Sequence, residues 1–358
     1  MNIYCDLMHD VLEGVCRYVI PVLLNCFIYQ RKLFSLDMLN SRIASFSYDH
    51  SSRPPCLTAE HIKKCTVTIS AMEMLNLVLA LNIMIGDVVV ECREWEVYLM
   101  LRNIVLYCCG LVFCEEELVY FEVVIAEFLE EYMSVFGGPL TLKFHNLTHY
   151  PRVIKYLGPM YHNWVMRCEA KHSDLKKAAS AAGNFKNISR TLAVRHQMKQ
   201  AERFFACRGV EGDCFPECVV GRVQRVTLGE INHGSKISAL LGNYGLYREI
   251  FRTEAITVNS VCFRTGDILV FGQDGNDDIF PTFCQVYLIF VTDSRDYFLV
   301  CMEMCTLVES HHYQAYEVLL LDKLTVVNAD SIAHLASPWP LKLREAAGSL
   351  YVSVRHKI

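Results

Sequence analysis

The chain has 358 residues, of which 53% are hydrophobic and 20% are charged. This composition excludes an intrinsically disordered protein, and the length favours two domains, because one core rarely serves so long a chain. The net charge of −5, from 34 basic and 39 acidic residues, excludes a polybasic protein, so a nucleic-acid site would have to be a local patch.

The 17 cysteines indicate a reducing compartment. The first residues lack the basic segment and apolar run of a secretory signal, so we expect reduced, intracellular thiols that serve mostly as small buried hydrophobes. Cys214 with Cys218 and Cys301 with Cys305 have loose zinc-like spacing. Neither has a second pair, so packing is favoured over zinc binding.

The first predicted elements are a short strand from Asn2 to Asp6 and a helix from His9 to Ile20, whose apolar residues recur at helical spacing. The chain from Thr58 to Phe136 is predicted to be helical. Its two most apolar stretches, 74–90 and 101–113, are predicted to be buried helices, since one is interrupted by polar residues and the other is too short to span a membrane. The acidic part of this region is interpreted as a solvated helix face.

A short strand is predicted at Leu140–Phe144 because apolar residues alternate there. Three helices follow, at Tyr150–Tyr156, from Trp164 to about Ala182, and from Asn187 to about Cys207. Between Arg167 and Arg208, ten basic and three acidic residues give a local charge of +7. This charge suits the phosphate backbone of nucleic acid, although the same residues could form an ordinary solvated face.

Beyond Gly209 the composition changes to short runs of Val, Ile, Phe, Tyr and Thr separated by Gly and Asp turns. This pattern predicts a small all-β module, a barrel or a sandwich, over 209–336, followed by a tail at 337–358. Its aromatic residues would form either an interaction groove or a core; they are Tyr287, Phe290, Tyr297 and Phe298.

Two histidine groups could bind a metal from their spacing alone. His145 and His149 are four residues apart, but no Glu follows His145 as in a zinc protease. Glu169, His172 and Lys176 share one face of the predicted helix. Capping or packing is favoured for the histidine pair and a salt-bridged surface for the second group. The chain has no dinucleotide-binding, phosphate-loop or serine-hydrolase motif.

Two separated blocks change this assessment. The segment from Asp6 to Val15, which begins Asp6-Leu7-Met8-His9, resembles the Asp-x-Met-His block of the CACTA (En/Spm)-like transposases. A later stretch resembles the second block of that family in its order of residues, which are His145, His149, Gly158-Pro159, Trp164, Met166, Glu169 and Lys176. The resemblance continues through Asn187.

The resemblance implies a transposon-derived chain with α+β architecture. Residues 1–208 would form an incomplete ribonuclease H-like core with a helical insertion at about 58–136. Asp6 would correspond to the second Asp of the family's DDE triad and Glu169 to its Glu, and the two would bind Mg²⁺ or Mn²⁺ weakly. The first Asp of the triad has no counterpart, so strand cleavage is not expected.

The resemblance further predicts a nuclear protein without a membrane role. It would associate with DNA or chromatin through the basic segment, whose named contacts are Arg167, Lys171, Lys176, Lys177, Lys186 and Arg190. Two alternatives stay open. One is an active nuclease in which Asp10 or Glu13 supplies the third carboxylate, and the other is a protein-interaction module built on the β domain.

Overall fold

The computed structural model describes residues 5–48, 52–138, 140–183, 186–206, 218–220, 222–226, 231–242, 250–258, 261–272, 280–291, 297–329, 341 and 343–354. The chain forms two compact units. Unit 1 contains residues 1–169, 310–315 and 344–358, and unit 2 contains residues 170–309 and 316–343. The sequence predicted a boundary near residue 208 and a separate tail at 337–358.

Unit 1 is mainly helical. Its helices are α1 (Leu7–Gln30), α2 (Leu36–Ser45), α3 (Ala59–Lys63), α4 (Ala71–Ile85), α5 (Arg93–Cys108), α6 (Glu115–Phe136), α7 (Leu142–Leu147), α8 (Tyr150–Leu157) and α9 (Met160–Asn163). Side-chain caps fix several starts; at α4, for example, Ser70 and Glu73 form a reciprocal capping box. The helical prediction for Thr58–Phe136 is confirmed.

Helices α4 and α5 are the buried centre of unit 1, as the sequence predicted for its two most apolar stretches. The Tyr98 hydroxyl of α5 enters the hydrogen-bond ladder of α4, where it accepts from the Asn82 amide and donates to the Val78 carbonyl, both at 2.8 Å. Because the phenol replaces a backbone partner on each side, the pairing of the two helices is specific as well as apolar.

Arg102 of α5 is fully buried and holds two distant segments against the helices. Its guanidinium donates to the Gln314 carbonyl at 3.3 Å, to the Ser353 hydroxyl at 2.8 Å and to the Val354 carbonyl at 3.1 Å. Burial lowers its pKa to about 10. The segments 310–315 and 344–354 thus complete the core of unit 1.

In the described residues, only α1 is long and apolar enough to cross a membrane. Its best window has a mean hydropathy of 1.7, but 72% of that window is buried inside the protein. Burial of this kind is typical of a core helix.

One predicted strand is wrong. Leu140–Phe144 does not form a strand, because α7 begins at Leu142 and its buried residues, Phe144 and Leu147, follow helical spacing. Phe144 stacks on Tyr132 of α6 with ring centroids 5.0 Å apart, and Leu142 is 71% exposed. Packing against α6 therefore overrides the local alternation. The predicted strand at the N-terminus falls mostly outside the described residues.

Unit 2 contains most of α10 (Met166–Ala182), then α11 (Ile188–Ala206), α12 (Gly234–Gly242) and the strands β1 (Cys218–Val220), β2 (Val223–Val226), β3 (Ile250–Thr253), β4 (Ala255–Val258), β5 (Val261–Arg264), β6 (Ile268–Gly272), β7 (Thr282–Val291), β8 (Tyr297–Ser310) and β9 (Ala315–Asn328). One antiparallel sheet has the order β1-β4-β5; in the other, β9-β8-β7-β3-β2 are neighbours and β6 also pairs with β7. Two further strands, β10 (Leu343–Ala346) and β11 (Ser349–Val352), pair with each other. The predicted α+β class and the order of helices before strands are confirmed.

The aromatic residues considered for a groove belong to the core instead. Phe290 is fully buried, Phe298 is 7% exposed, and their rings stack 5.3 Å apart. Tyr287 and Tyr297 are partly buried against the two core clusters of the sheets. Phe290 and Phe298 thus form core rather than an exposed groove, and Tyr287 and Tyr297 keep part of their surface exposed.

Candidate functional site

Asp6 is the residue that caps α1. Its backbone is extended, and its Oδ2 accepts from the His9 amide at 3.1 Å and lies 2.5 Å from His9 Nδ1. The carboxylate is 1% exposed, whereas the His9 side chain is 45% exposed. A buried carboxylate therefore orients a half-exposed imidazole. When Nδ1 carries the proton, Nε2 is the nitrogen left to accept one.

Asp10 completes a second layer behind Asp6. Its Oδ2 accepts from the Asp6 amide at 3.0 Å, and its Oδ1 accepts from Lys143 Nζ at 2.9 Å and Asn146 Nδ2 at 3.0 Å. The close approach of α7 depends on Gly14, where a Cβ would lie 3.1 Å from the Lys143 side chain and 2.8 Å from the His9 carbonyl. Asp10 thereby attaches α7 to the start of α1.

The two sequence blocks meet at Asp6. Its Oδ1 accepts from the Val165 amide at 3.0 Å, across 159 residues of sequence, just before α10 begins. The Glu169 amide donates to the Val165 carbonyl at 2.9 Å, so Glu169 lies one helical turn beyond Val165. The Glu169 side chain is exposed. The structure thus brings Asp6 and the turn that carries Glu169 to the same place in unit 1.

The carboxylates do not fit a pair of divalent metals as they stand. Both oxygens of Asp6 accept hydrogen bonds, and the Asp10 carboxylate is occupied by Lys143 and Asn146. Within the described ranges, no group of three His, Cys, Asp or Glu side chains could hold a metal ion. A two-metal centre needs such a shared set of ligands, so these residues do not fit a pair of Mg²⁺ or Mn²⁺ ions.

Tyr150 of α8 is a site residue that the sequence did not single out. Its side chain is fully buried, and its hydroxyl has no hydrogen-bond partner among the described residues. Burial is the main reason why its pKa lies well above the usual range, and the nearby charges of Asp10 and Asp6 act in the same direction. The phenol therefore stays protonated beside the carboxylates.

The other predicted ligand groups differ in how their members are placed. The His145 and His149 rings meet edge to face with centroids 4.9 Å apart, His145 on α7 and His149 just before α8. Cys301 is buried whereas Cys305 is exposed, and Cys214 lies outside the described residues. Glu169, His172 and Lys176 lie on α10, as their spacing predicted.

The basic residues lie on α10, on α11 and in the connection between them, which we call the basic helix pair. An Arg195 Nη1 bond of 3.4 Å to the Ala178 carbonyl links the two helices. Lys176, Lys177, Lys186 and Arg190 are exposed and Lys171 is half-buried, whereas the Arg167 side chain lies outside the described set. None of the side chains described on these helices is buried. Such a surface is available to an anionic polymer.

No family model, curated protein or solved structure matches the chain.

Proposed function

We propose that this chain is a transposase-derived protein that binds nucleic acid through the basic helix pair and does not cut it. One observation carries the proposal. Lys176, Lys177 and Arg190 are exposed, and no ion pair to them occurs among the described residues. Cations that form no ion pair stay available to phosphate and release counterions on binding.

The length of the basic helix pair suits a short stretch of duplex. Helix α10 has 17 residues and α11 has 19. At 1.5 Å per residue each is about 25–29 Å long, which corresponds to roughly eight base pairs at about 3.4 Å. Lys and Arg contacts over this length supply affinity without reading the bases, so unrelated sequences should bind alike.

The hydrogen bonds of Asp6 and Asp10 support the absence of cleavage. Asp6 accepts from His9 and from the Val165 amide, and Asp10 pairs with Lys143. Both carboxylates thus stabilise unit 1, Asp10 by joining α1 to α7 and Asp6 by joining the start of α1 to Val165. A ribonuclease H-like origin and a nuclear location belong to the same proposal and rest on the sequence resemblance.

The test is a fluorescence-anisotropy titration of labelled duplexes of unrelated sequence at several salt concentrations. Replacing Lys176, Lys177 and Arg190 by Gln should weaken binding to every duplex and reduce the slope of log K against log salt by about 2.7, at about 0.9 for each phosphate contact. The control replaces three exposed cations outside the pair by Gln: Lys32, Lys63 and Lys64. It removes the same charge and should leave the slope unchanged.

The proposal fails if the two triple variants bind alike, because binding would then depend only on total charge. It also fails if the wild-type protein does not bind duplex at low salt. A sequence preference that survives in the variant of the basic helix pair would place the site elsewhere.

One observation favours the alternative of an active nuclease. Asp10 is a second carboxylate in direct contact with Asp6, through the Asp6 amide at 3.0 Å. It could serve as the third acid only if Lys143 left its present position, since Lys143 Nζ lies 2.9 Å from Asp10 Oδ1. Replacing Lys143 by Met would remove the cation from Asp10 Oδ1, which would then keep only the neutral amide of Asn146 as a partner. Metal-dependent nicking that appears in this variant would support the alternative.

A further inference from the structure

Helix α6 has two apolar faces, one of which is exposed. The inner face carries Phe121 and Phe128, which are fully buried. On the opposite side, Val119 is 63% exposed, Val123 is 45% exposed and Ala126 is exposed as well. Residues spaced by three and four lie one above another on a helix, so these three form a continuous stripe, which we call the α6 stripe. Beside it, α6 and α8 enclose a groove of about 410 Å³.

Acidic side chains flank the α6 stripe. The helix contains seven Glu residues and neither Lys nor Arg. Four of these residues are exposed without an ion pair in the described part of the chain, and they are Glu116, Glu122, Glu127 and Glu130. Glu116 and Glu127 lie along one edge of the stripe and Glu122 along the other, while Glu130 continues its line one turn after Ala126. An apolar stripe among such acids matches an amphipathic helix that carries basic residues beside its apolar face.

Helix α11 has the complementary pattern. Val194 is 42% exposed, Met198 is 67% exposed and Ala201 is exposed, and their spacing places them on one side of the helix. We call these three residues the α11 stripe. By the 100° turn of each residue, Arg190 flanks this stripe on one side, and Arg195 lies on the other side together with Glu202, so the charge beside the stripe is net positive.

We infer that the α6 stripe binds the α11 stripe of a second copy of this chain. Each stripe is exposed to solvent within one copy, and the net charge beside the α6 stripe is negative whereas that beside the α11 stripe is positive. The contact joins two different surfaces, so it is heterologous and each copy keeps one free face of each kind. Association therefore continues beyond a dimer unless the geometry closes into a ring.

This inference goes beyond the proposed function, because it concerns assembly in the absence of nucleic acid. It leaves Lys176 and Lys177 of α10 free for phosphate. Variants of the α6 stripe change no residue of the basic helix pair, so nucleic-acid binding can be measured independently in them. Loss of one activity without the other then identifies which proposal has failed.

The experiment is sedimentation velocity of the full chain over a wide concentration range at low salt. We expect reversible association of the wild-type protein. Replacing Val119 and Val123 by Asp, or Val194 and Met198 by Asp, should weaken it at least tenfold, because the new carboxylates would be desolvated in an apolar contact. The control places Asp at two exposed apolar positions elsewhere, Val90 (61%) and Leu142 (71%), and should associate like the wild type.

Mixing the two defective proteins is the decisive step. The α6-stripe variant keeps an intact α11 stripe, and the α11-stripe variant keeps an intact α6 stripe. An equimolar mixture should form a one-to-one complex that grows no further. A wild-type protein that stays monomeric, variants that associate like the wild type, or a mixture that remains monomeric would each overturn the inference.

Discussion

Replacing Arg102 by Met should destabilise unit 1 substantially. The guanidinium is fully buried and pairs with no carboxylate of the described residues; it donates instead to Leu79, Gln314, Ser353 and Val354. Leu79 lies inside α4, so its carbonyl keeps a helical partner. The carbonyls of Gln314 and Val354 would lose their Arg102 donors.

The expected cost follows from those two carbonyls. A buried acceptor without a partner costs about 1–3 kcal/mol, so two cost about 2–6 kcal/mol. Removing the guanidinium also removes its desolvation penalty, which is the reason why its pKa is lowered to about 10. We therefore expect a net loss of about 2–4 kcal/mol in the free energy of unfolding. Met retains most of the side-chain volume, so the cavity contribution is small.

The assay is urea denaturation followed by circular dichroism, together with hydrogen exchange of segments 310–315 and 344–354. Both segments should exchange faster in the variant, because each loses its hydrogen bonds to Arg102, although segment 310–315 keeps those to Trp95 and Leu99 of α5. The control is the same substitution at Arg93 on the same helix, whose side chain is 63% exposed and pairs with Glu131. That exposed pair should contribute less than about 1 kcal/mol. Equal stabilities for the two variants, with unchanged exchange, would refute the reasoning.

Three further predictions concern the region around Asp6. Gly14→Ala should destabilise unit 1 by about 1–3 kcal/mol in urea denaturation, since the new Cβ would lie 2.8 Å from a backbone oxygen and 3.1 Å from Lys143; a stability within experimental error of the wild type would contradict it. Burial raises the pKa of Cys5 from 9.0 to about 11, with Asp10 adding to the shift, so its stabilising contribution is complete below pH 9 and lost as the pH rises towards 11. Cys5→Ala should therefore flatten the decline in the free energy of unfolding over that window, and an unchanged decline would be evidence against it. Purified protein with Mn²⁺ should leave supercoiled plasmid intact, and nicking that disappears in Glu169→Gln would promote the nuclease alternative.

Local sequence patterns determined much of the secondary structure. Apolar spacing predicted the helices observed at Tyr150–Leu157 and Ile188–Ala206, and it predicted the burial of α4. Such spacing is informative because it places the apolar residues of a helix on the face that packs against the core. The local charge of α10 and α11 is likewise a property of the sequence. The order of helices before strands needed only the change in composition after Gly209.

Only the tertiary structure decided which distant residues pack against each helix or strand and which groups bond to its buried polar atoms. Alternation at Leu140–Phe144 predicted a strand, yet stacking on Tyr132 selects a helix. Asp6 could be placed near the second block only by resemblance, and its actual donor, the Val165 amide, comes from a residue 159 positions away. Periodicity records which side of an element is apolar, but not which distant backbone group will satisfy a buried carboxylate. That choice arises only when helices pack and every buried polar group needs a partner.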